Sequence, residues 1–435
     1  MNIAVLLFAI ALGVLAGLWL WLGLVRADQA SPLSFERLVV VAVAVGLGSR
    51  LAFAWFTPTF YAPDEEPHFR YIEYLYEWRS LPVQTSKTDA PTGDWEYYQP
   101  PLYYLASVPI HGWVRGLGED VAVRGIRLLS VALWCVTVIA ALRILDTLHI
   151  EDAFTRLATI SLVCLLPTFI FMTSVINNDN LLIALSSIIL YWMVRTQGRR
   201  DVLWIRVLIG LALWVKLTAI VYMVALAILF VVQWLGRTRS FSSAIANSVL
   251  TVIVPALMWS PWAVRNLALY GDLTGESAAN IPVVWPSAFG AFSTTLSYMV
   301  TSFWTASGEG NNVGLPPIIG ISLTLLAVIG LGYGVFFGKR RFNDWGDHDL
   351  AIAFLIAIVV NVVLIFRFGF LYGQGQGRFL FPLLIPIAMW IALGFKCLGM
   401  TTRFRKAHVH IVGFMSLYAL SFTTFSLGLF TWVQR

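Results

Sequence analysis

The chain has 435 residues, of which 59% are hydrophobic and only 12% are charged. This charged share is less than half that of an ordinary soluble domain, so a cytosolic enzyme, a disordered protein and a secreted disulfide scaffold are excluded. A polytopic membrane protein remains. The net charge is +6, and the three cysteines (Cys135, Cys164 and Cys397) are far apart in apolar runs. We interpret them as small core hydrophobes rather than metal ligands.

Runs of about 20 apolar residues are long enough to cross the hydrocarbon layer as helices. The first run lacks a basic start and a clear cleavage site and is too long for a signal peptide, so we interpret it as a membrane helix. The sequence therefore predicts an all-α transmembrane bundle of about 12 spans, forming one domain over residues 1–435 and showing no evident internal repeat. The predicted spans are 3–25, 38–57, 124–144, 157–175, 180–194, 203–217, 219–235, 244–262, 313–337, 350–366, 379–397 and 410–432.

Lys and Arg residues set the orientation of such a bundle. One set of alternate loops holds 17 of the 29 basic residues, whereas the longer opposite loops and the C-terminal residue hold 10. We therefore place the first set in the cytoplasm, so that both termini face outward. Two long loops, 58–123 and 263–312, then lie outside, and we expect the chemistry there. The short apolar stretch 101–115 follows two prolines and is interpreted as a re-entrant or interfacial element.

The first outer loop is acidic where the chain leaves the membrane. Residues 64–96 carry eight carboxylates, beginning with Asp64 and Glu65, and a helix is predicted from His68 to Trp78. A carboxylate at the bilayer edge is partly desolvated, which suits it for work as a base. The alternative is a solvated acidic turn that caps the helix. His68 has no second histidine at zinc-motif spacing, so it is either a substrate contact or a plain interfacial histidine.

Several further polar features lie at the outer ends of the predicted spans. Charges at membrane depth are functional candidates, although long basic side chains also snorkel to the surface, and both readings stay open for Arg50 and Lys216. Arg378 follows a glycine-rich segment that permits close backbone approach, and Arg265 lies at another bilayer edge. Arginine suits bidentate phosphate binding, whereas a flexible turn with an interfacial arginine is the alternative for Arg378.

Two polar or aromatic segments accompany these cations. Residues 177–180 (NNDN) form a whole turn between two spans, which turn chemistry alone explains equally well. Residues 95–104 are rich in aromatic side chains, which suits either a membrane interface or a sugar-stacking surface. A carboxylate cluster beside candidate anion contacts is the layout expected for transfer of a group from a lipid phosphate carrier.

The chain resembles the GT-C superfamily of integral-membrane glycosyltransferases, and most of all the bacterial relatives of protein O-mannosyltransferases and aminoarabinose transferases. The resemblance covers about residues 38–398. It rests on residues 63–69 (PDEEPHF), 99–104 (QPPLYY), 177–180 (NNDN), 265–272 (RNLALYGD) and 376–382 (QGRFLFP). The sequence departs from the mannosyltransferase pattern in having two residues, not one, between Asp-Glu and His-Phe, and in an additional preceding span.

The resemblance implies roles for individual residues. Asp64 is the expected catalytic base, and Glu65 is the second acidic residue of its motif. Lys216, Arg378 and Arg265 are the expected contacts of the donor phosphate. We also expect substrate contacts from His68, Tyr97, Gln99 and Asp179.

The implied function is transfer of a sugar from a polyprenyl-phosphate donor to a lipid, glycan or protein acceptor at the outer face of the plasma membrane. One base and direct displacement imply inversion at the anomeric carbon. No cofactor is required by this scheme, although the eight carboxylates could hold Mg²⁺ or Mn²⁺; no nucleic-acid partner is expected. A secondary transporter or a lipid flippase is the alternative, although transporters usually show internal repeats and midplane charges.

Overall fold

The computed structural model describes residues 11–22, 32–85, 87, 94–195, 198–308, 313–314, 317–341, 348–401 and 407–433. Part of the first predicted span lies outside these residues, as do Asp89 and four residues predicted to be cytoplasmic, Arg26, Arg403, Arg405 and Lys406. The regular secondary structure of the described residues is helical apart from one small antiparallel pair of strands, β1 (Ala306–Ser307) and β2 (Val313–Gly314).

Seventeen α-helices can be followed through the described residues. They are α1 (Ala11–Leu22), α2 (Pro32–Phe56), α3 (Glu65–Trp78), α4 (Leu102–Val114), α5 (Glu119–Thr147), α6 (Ala153–Leu165), α7 (Pro167–Met172), α8 (Asp179–Arg195), α9 (Arg199–Leu213), α10 (Ile220–Leu235), α11 (Phe241–Tyr270), α12 (Glu276–Ala279), α13 (Ala288–Trp304), α14 (Pro317–Arg341), α15 (His348–Tyr372), α16 (Leu384–Thr401) and α17 (Ala407–Val433). Short 3₁₀ segments cover Arg115–Leu117, Leu217–Ala219 and Gly377–Leu383.

Each of the twelve predicted apolar runs coincides with one or two of these helices. Within the described residues, seven helices are long and apolar enough to cross a membrane: α2, α5, α10, α11, α15, α16 and α17, with α10 and α16 each counted from the 3₁₀ turn before it. The all-α membrane bundle is thus confirmed, whereas the number of twelve spans is not. The run 157–175 is interrupted because Leu166 is extended and Pro167 starts the new helix α7.

The helices pack around one continuous apolar core, in which α14 lies against α16, α5 against α8, and α2 against α6. Glycine permits the closest of these approaches. A Cβ atom on Gly394 of α16 would meet the carbonyl oxygen of Gly330 in α14 at 1.5 Å, so any side chain at this crossing would force the helices apart. Small residues at helix crossings are typical of membrane bundles, where packing drives association.

Arg50 is fully buried and does not snorkel. Its guanidinium donates hydrogen bonds to the Thr173 hydroxyl at 2.7 Å and to the carbonyl oxygens of Gly46 and Cys164 at 3.0 and 2.9 Å. It also stacks over the ring of Trp134, 3.9 Å from the ring centroid. Arg50 therefore ties α2 to α6 and α7 inside the bundle.

The two long loops contain helices of their own. In the first loop, α3 packs against α4, a short helix that covers most of the stretch 101–115 predicted as a re-entrant or interfacial element. The second loop begins later than predicted, because α11 continues to Tyr270 and ends at Gly271 in the left-handed conformation. It also holds α12 and α13, of which α13 packs against α14 and the 3₁₀ segment that carries Arg378.

Candidate active site

Four separate segments meet at one end of the bundle. Asp64 lies between α2 and α3, Asp179 begins α8, Lys216 precedes the 3₁₀ turn before α10, and Arg378 lies in the 3₁₀ segment before α16. All four come from the side of the bundle predicted to face outward. They form two ion pairs, and three of the four residues, Asp64, Lys216 and Arg378, line one cavity.

The first pair joins Asp64 and Arg378. Arg378 Nη2 donates to Asp64 Oδ2 at 2.6 Å, and the side chains are 7% and 33% exposed, respectively. Burial acts to raise the pKa of Asp64, but the charge and hydrogen bond of Arg378 outweigh it and hold that pKa below its usual range. Asp64 is therefore ionised at neutral pH, with a surface open to a ligand.

Local backbone geometry delivers both partners. Asp64 adopts the left-handed conformation at φ 60° and is the N-cap residue of α3. On the other side, a Cβ atom on Gly377 would lie 2.3 Å from the carbonyl oxygen of Met299. Only glycine permits this contact with α13, and the Gly377 N–H donates to the Ser302 hydroxyl at 2.8 Å. The neighbouring Arg378 is thereby held in place.

The second pair joins Lys216 and Asp179. Lys216 Nζ lies 2.5 Å from Asp179 Oδ1, and the Lys216 side chain is 16% exposed. The ammonium also lies 5.1 Å from the centroid of the Phe379 ring, and the Arg378 guanidinium lies 5.5 Å from the same centroid. Phe379 is thus flanked by two cations, which brings Lys216 and Arg378 to one wall of the cavity.

The three asparagines in the turn at residues 177–180 differ in their side-chain hydrogen bonds. Asn177 Oδ1 accepts the Asp179 N–H at 2.8 Å, and Asn180 Nδ2 donates to the Val175 carbonyl oxygen at 3.0 Å, so turn chemistry explains these two asparagines. Asn178 is different. Its side-chain oxygen and nitrogen are buried without a partner among the described residues, and it lines the cavity.

The cavity has a volume of about 320 Å³. This is at the small end of the range of about 300–1,000 Å³ that is typical of ligand sites. Aromatic side chains dominate part of its wall, and the indole N–H groups of Trp259 and Trp262 have no partner among the described residues. Aromatic faces beside polar groups suit a sugar ring, which has both apolar C–H faces and hydroxyl edges. The aromatic lining residues are Trp95, Tyr98, Trp259, Trp262, Phe368 and Phe379.

Of the four residues expected to contact substrate, His68 and Gln99 line this cavity, whereas Tyr97 and Asp179 do not. His68 Nδ1 lies 2.9 Å from the Tyr104 hydroxyl. Burial lowers the pKa of His68 to about 3, so the imidazole is neutral at physiological pH. Tyr97 instead packs its ring against Tyr71 and Tyr74.

Glu65 lies outside the cavity, which does not support the expected catalytic role. Its carboxylate and Arg127 are both fully buried and form two hydrogen bonds of 2.8 and 2.7 Å. Glu65 also accepts the Ile176 N–H at 3.0 Å, and Arg127 donates to carbonyl oxygens at the end of α2, including that of Thr57 at 2.6 Å. A carboxylate enclosed in this way fixes the acidic turn to α5 and leaves Asp64 to face the cavity.

Arg265, the third expected contact of the donor phosphate, also lies outside the cavity lining, which does not support that role. Its guanidinium donates to the Pro82 carbonyl oxygen and to Asn266 Oδ1 and stacks over Trp262, 4.6 Å from the ring centroid. Arg265 therefore fastens the first outer loop to α11 behind the aromatic wall.

Three charged residues of the cavity lining, Glu96, Glu276 and Arg367, were not among the candidates from the sequence. Arg367 of α15 pairs with Glu276 of α12 at 3.1 Å, near the mouth, where the Arg367 side chain is half-exposed. Glu96 lines the cavity, and its Oε2 atom is buried without a partner among the described residues. The aromatic context of residues 95–104 was the available signal for Glu96, whereas nothing local marked Arg367 and Glu276.

A metal site is not supported by the described residues. Within them, no three His, Cys, Asp or Glu side chains come together in a way that could hold a metal ion. Several of the carboxylates considered as Mg²⁺ or Mn²⁺ ligands pair with arginines instead: Glu66 and Glu73 with Arg70, and Glu77 with Arg115.

A family model for predicted membrane proteins, DUF2142, matches residues 71–387. The chain belongs to the DUF2142 family. Curated proteins give no significant match to the sequence. The family match agrees with the membrane bundle described above, and solved structures show which fold this DUF2142 protein has.

ArnT from Cupriavidus metallidurans bound to undecaprenyl phosphate aligns with a TM-score of 0.55 at 14% identity, over 91% of this chain and 78% of that one. Its apo structure aligns with a TM-score of 0.54 at 14% identity, over 90% and 77%. The Archaeoglobus fulgidus oligosaccharyltransferase, in a complex with Zn and sulfate, aligns with a TM-score of 0.55 at 14% identity, over 90% and 53%. The DUF2142 protein thus spans about half the length of the archaeal enzyme. Its fold is of the GT-C type, as the resemblance predicted.

Proposed function

We propose that this DUF2142 protein is a glycosyltransferase that moves a sugar from a polyprenyl-phosphate donor to an acceptor at the outer face of the plasma membrane. One observation carries the proposal: a carboxylate and two cations, Asp64, Arg378 and Lys216, line one aromatic-walled cavity at one end of a GT-C bundle. The neighbours support a lipid-linked donor, since an ArnT structure holds undecaprenyl phosphate and an archaeal AglB structure holds dolichol-phosphate.

In the proposed reaction, the donor phosphate binds Arg378 and Lys216 while its lipid tail lies along the apolar helices. Arg378 suits this role because its Nε and Nη1 atoms are buried without a partner among the described residues and Nη2 alone holds Asp64. A phosphate oxygen that contacts Arg378 competes with Asp64 for the guanidinium. Binding of the donor therefore raises the pKa of the Asp64 carboxylate and makes it a stronger base.

The chemical step is a direct displacement. An acceptor hydroxyl gives its proton to Asp64 as its oxygen forms a bond to the anomeric carbon. The bond between that carbon and the phosphate oxygen breaks, and its electron pair leaves with the lipid phosphate. Arg378 and Lys216 then hold the added negative charge, which lowers the barrier because their positions are fixed before reaction. A single displacement inverts the anomeric configuration.

The test is transfer of radiolabelled sugar from polyprenyl-phosphate donors by the purified protein, comparing wild type with Asp64→Asn. We expect the variant to lose most of its transfer while it still binds the lipid. Glu77→Gln is the matched control, because Glu77 lies in the same loop, half-exposed and 3.8 Å from Arg115, outside the cavity lining.

The outcomes separate the proposal from its rivals. Equal transfer by Asp64→Asn and wild type removes Asp64 from the mechanism. Retention of the anomeric configuration contradicts a single displacement. A folded wild type that binds polyprenyl phosphate but transfers sugar from no donor overturns the enzyme proposal and favours a flippase or a secondary transporter.

A further inference from the structure

The charges that line the cavity are matched with one exception. Each of its three cations has a carboxylate within 3.1 Å: Arg378 with Asp64, Lys216 with Asp179, and Arg367 with Glu276. Glu96 is the remaining carboxylate in the lining, and no cation pairs with it among the described residues. Glu96 therefore differs from Asp64 and Glu276, the other two carboxylates of the lining, each of which pairs with an arginine.

The surroundings of Glu96 are aromatic and largely closed. Trp95 and Tyr98 flank it in sequence and line the same cavity, and the Tyr98 N–H donates to Gln84 Oε1 at 3.1 Å. That bond, with the Gln99 N–H to the Glu96 carbonyl oxygen at 3.0 Å, holds this turn of the loop in place. The Glu96 Oε2 atom is nevertheless buried without a partner among the described residues. A buried polar atom without a partner is costly, so a ligand group is expected to satisfy it.

The protonation state of Glu96 follows from the groups that face it. Burial and, second, the negative charge of Asp64 raise the pKa of Glu96 to about 8, against the opposing influence of Lys216, Arg378 and a hydrogen bond with Gln99. The other titratable groups nearby, the phenols of Tyr98 and Tyr104, are themselves buried and neutral, since burial raises their pKa well above the usual value. Glu96 is thus mostly a neutral acid at pH 7, able to donate and to accept a hydrogen bond.

We propose that Glu96 is a sugar-binding residue, whose neutral carboxyl group donates a hydrogen bond to a hydroxyl of the lipid-linked sugar. The assignment rests on the proposed function, because the lipid phosphate occupies the two cations and leaves the sugar toward the aromatic wall. An uncharged sugar fits better than an amino sugar, since an ammonium group would require the ionised carboxylate. In this assignment Glu96 recognises the sugar, whereas the two cations bind the phosphate of the lipid.

The experiment measures binding, so that it does not depend on transfer. Dissociation constants are compared for undecaprenyl phosphate and for undecaprenyl phosphate carrying glucose, mannose or galactose, and their ratio gives the preference for the sugar. We expect a preferred sugar whose advantage falls about fivefold to tenfold in Glu96→Ala, as the loss of one buried hydrogen bond predicts. Glu96→Gln keeps most of the advantage, because an amide also donates and accepts.

The pH dependence supplies the second readout. In wild type, the preference for the sugar declines as pH rises through about 8 and Glu96 ionises, whereas Glu96→Gln keeps its preference over the same range. The decline is compared between the two proteins at each pH, so that ionisation of other groups cancels. An infrared carbonyl band of a protonated carboxyl group that is lost over this range in wild type, and is missing from Glu96→Gln, reports the same titration directly.

Three results overturn the proposal: equal affinity of wild type for the bare and the sugar-bearing lipids, an equal loss in Glu96→Gln and Glu96→Ala, or no loss in Glu96→Ala. The second result means that an ionised carboxylate is needed, as for an amino sugar. The proposed function fails separately. A wild type that prefers the sugar-bearing lipid but never transfers the sugar contradicts the enzyme proposal and leaves the role of Glu96 in binding intact.

Discussion

Arg378 Nη2 lies 2.6 Å from Asp64 Oδ2, although 314 positions separate the two residues in the sequence. The bond links the turn after α2 to the 3₁₀ segment before α16, and so closes the cavity between the first outer loop and a late helix of the bundle. It also couples the two halves of the proposed chemistry. The cation proposed to receive the leaving phosphate is the same group that keeps the proposed base ionised.

Substitution of Arg378 tests this coupling. Arg378 lowers the pKa of Asp64, so its removal in Arg378→Gln raises that pKa and moves the acid limb of the pH–rate profile to higher pH. Affinity for polyprenyl phosphate should also fall, by about tenfold to a hundredfold for a charge-assisted hydrogen bond. Both quantities are measurable in the transfer and lipid-binding assays.

Arg378→Lys is the matched variant for this prediction. It keeps the positive charge but loses the planar fork, so it should restore the position of the acid limb more fully than the lipid affinity. An acid limb that does not move in Arg378→Gln would show that Asp64 does not govern the rate.

The general architecture was predictable because a membrane span can be recognised from the composition and length of one contiguous segment. Apolar runs of helical length identified the bundle, and the order of the short motifs identified the GT-C fold that the solved neighbours share. The number of spans could not be predicted in the same way. Some apolar runs, such as the one interrupted at Pro167, have the composition of a membrane span but form helices shorter than a full span.

The site was predictable only in part, because a motif gives residue types but not the direction of a side chain. Asp64 and Glu65 are adjacent in the sequence, yet one lies against the cavity and the other is enclosed by Arg127 of α5. Similarly, Arg265 and Arg378 both lie at helix ends, but Arg265 binds a loop carbonyl group behind the cavity wall. Such differences depend on contacts between residues distant in sequence, for which a single sequence carries no local signal.

The buried pair Glu65–Arg127 should contribute to stability rather than to chemistry. Glu65→Gln leaves the charge of Arg127 enclosed without compensation, which is expected to cost about 3–5 kcal/mol. Thermal unfolding of the purified protein in detergent measures this as a large fall in the unfolding midpoint.

Glu66→Gln is the neighbouring control. Glu66 pairs with Arg70 at 3.2 Å and its side chain is 44% exposed, so the change should cost no more than about 1 kcal/mol. If Glu65→Gln unfolds at the wild-type temperature but loses sugar-transfer activity, Glu65 has a role in catalysis that its buried position does not explain.

Lys216 and Arg265 provide a matched pair of cations for the donor phosphate. Lys216 faces the cavity and Arg265 does not, so Lys216→Gln should weaken binding of polyprenyl phosphate about tenfold, whereas Arg265→Gln should change it less than twofold. Binding is measured with the bare lipid phosphate at fixed ionic strength, because salt screens such contacts. A greater loss in Arg265→Gln than in Lys216→Gln would return Arg265 to the phosphate site.

His68 should not act as a proton carrier in the physiological range. Burial is the largest influence on its pKa and lowers it to about 3, so the imidazole stays neutral and holds Tyr104 at 2.9 Å through Nδ1. The pH–rate profiles of wild type and His68→Asn, whose amide can replace Nδ1, should therefore have the same shape between about pH 5 and 8. Loss of an inflection near pH 6.5 in the variant would contradict this assignment.

The same lowered pKa affects stability with a definite sign. An unfolded chain takes up a proton at His68 as pH falls through about 6.5, whereas the folded protein resists protonation until about pH 3. The stabilising effect of a neutral His68 is therefore complete above pH 6.5 and declines progressively below it. Unfolding midpoints measured from pH 7 to pH 4 should fall more steeply for wild type than for His68→Asn, and parallel curves would show that His68 titrates normally in the folded protein.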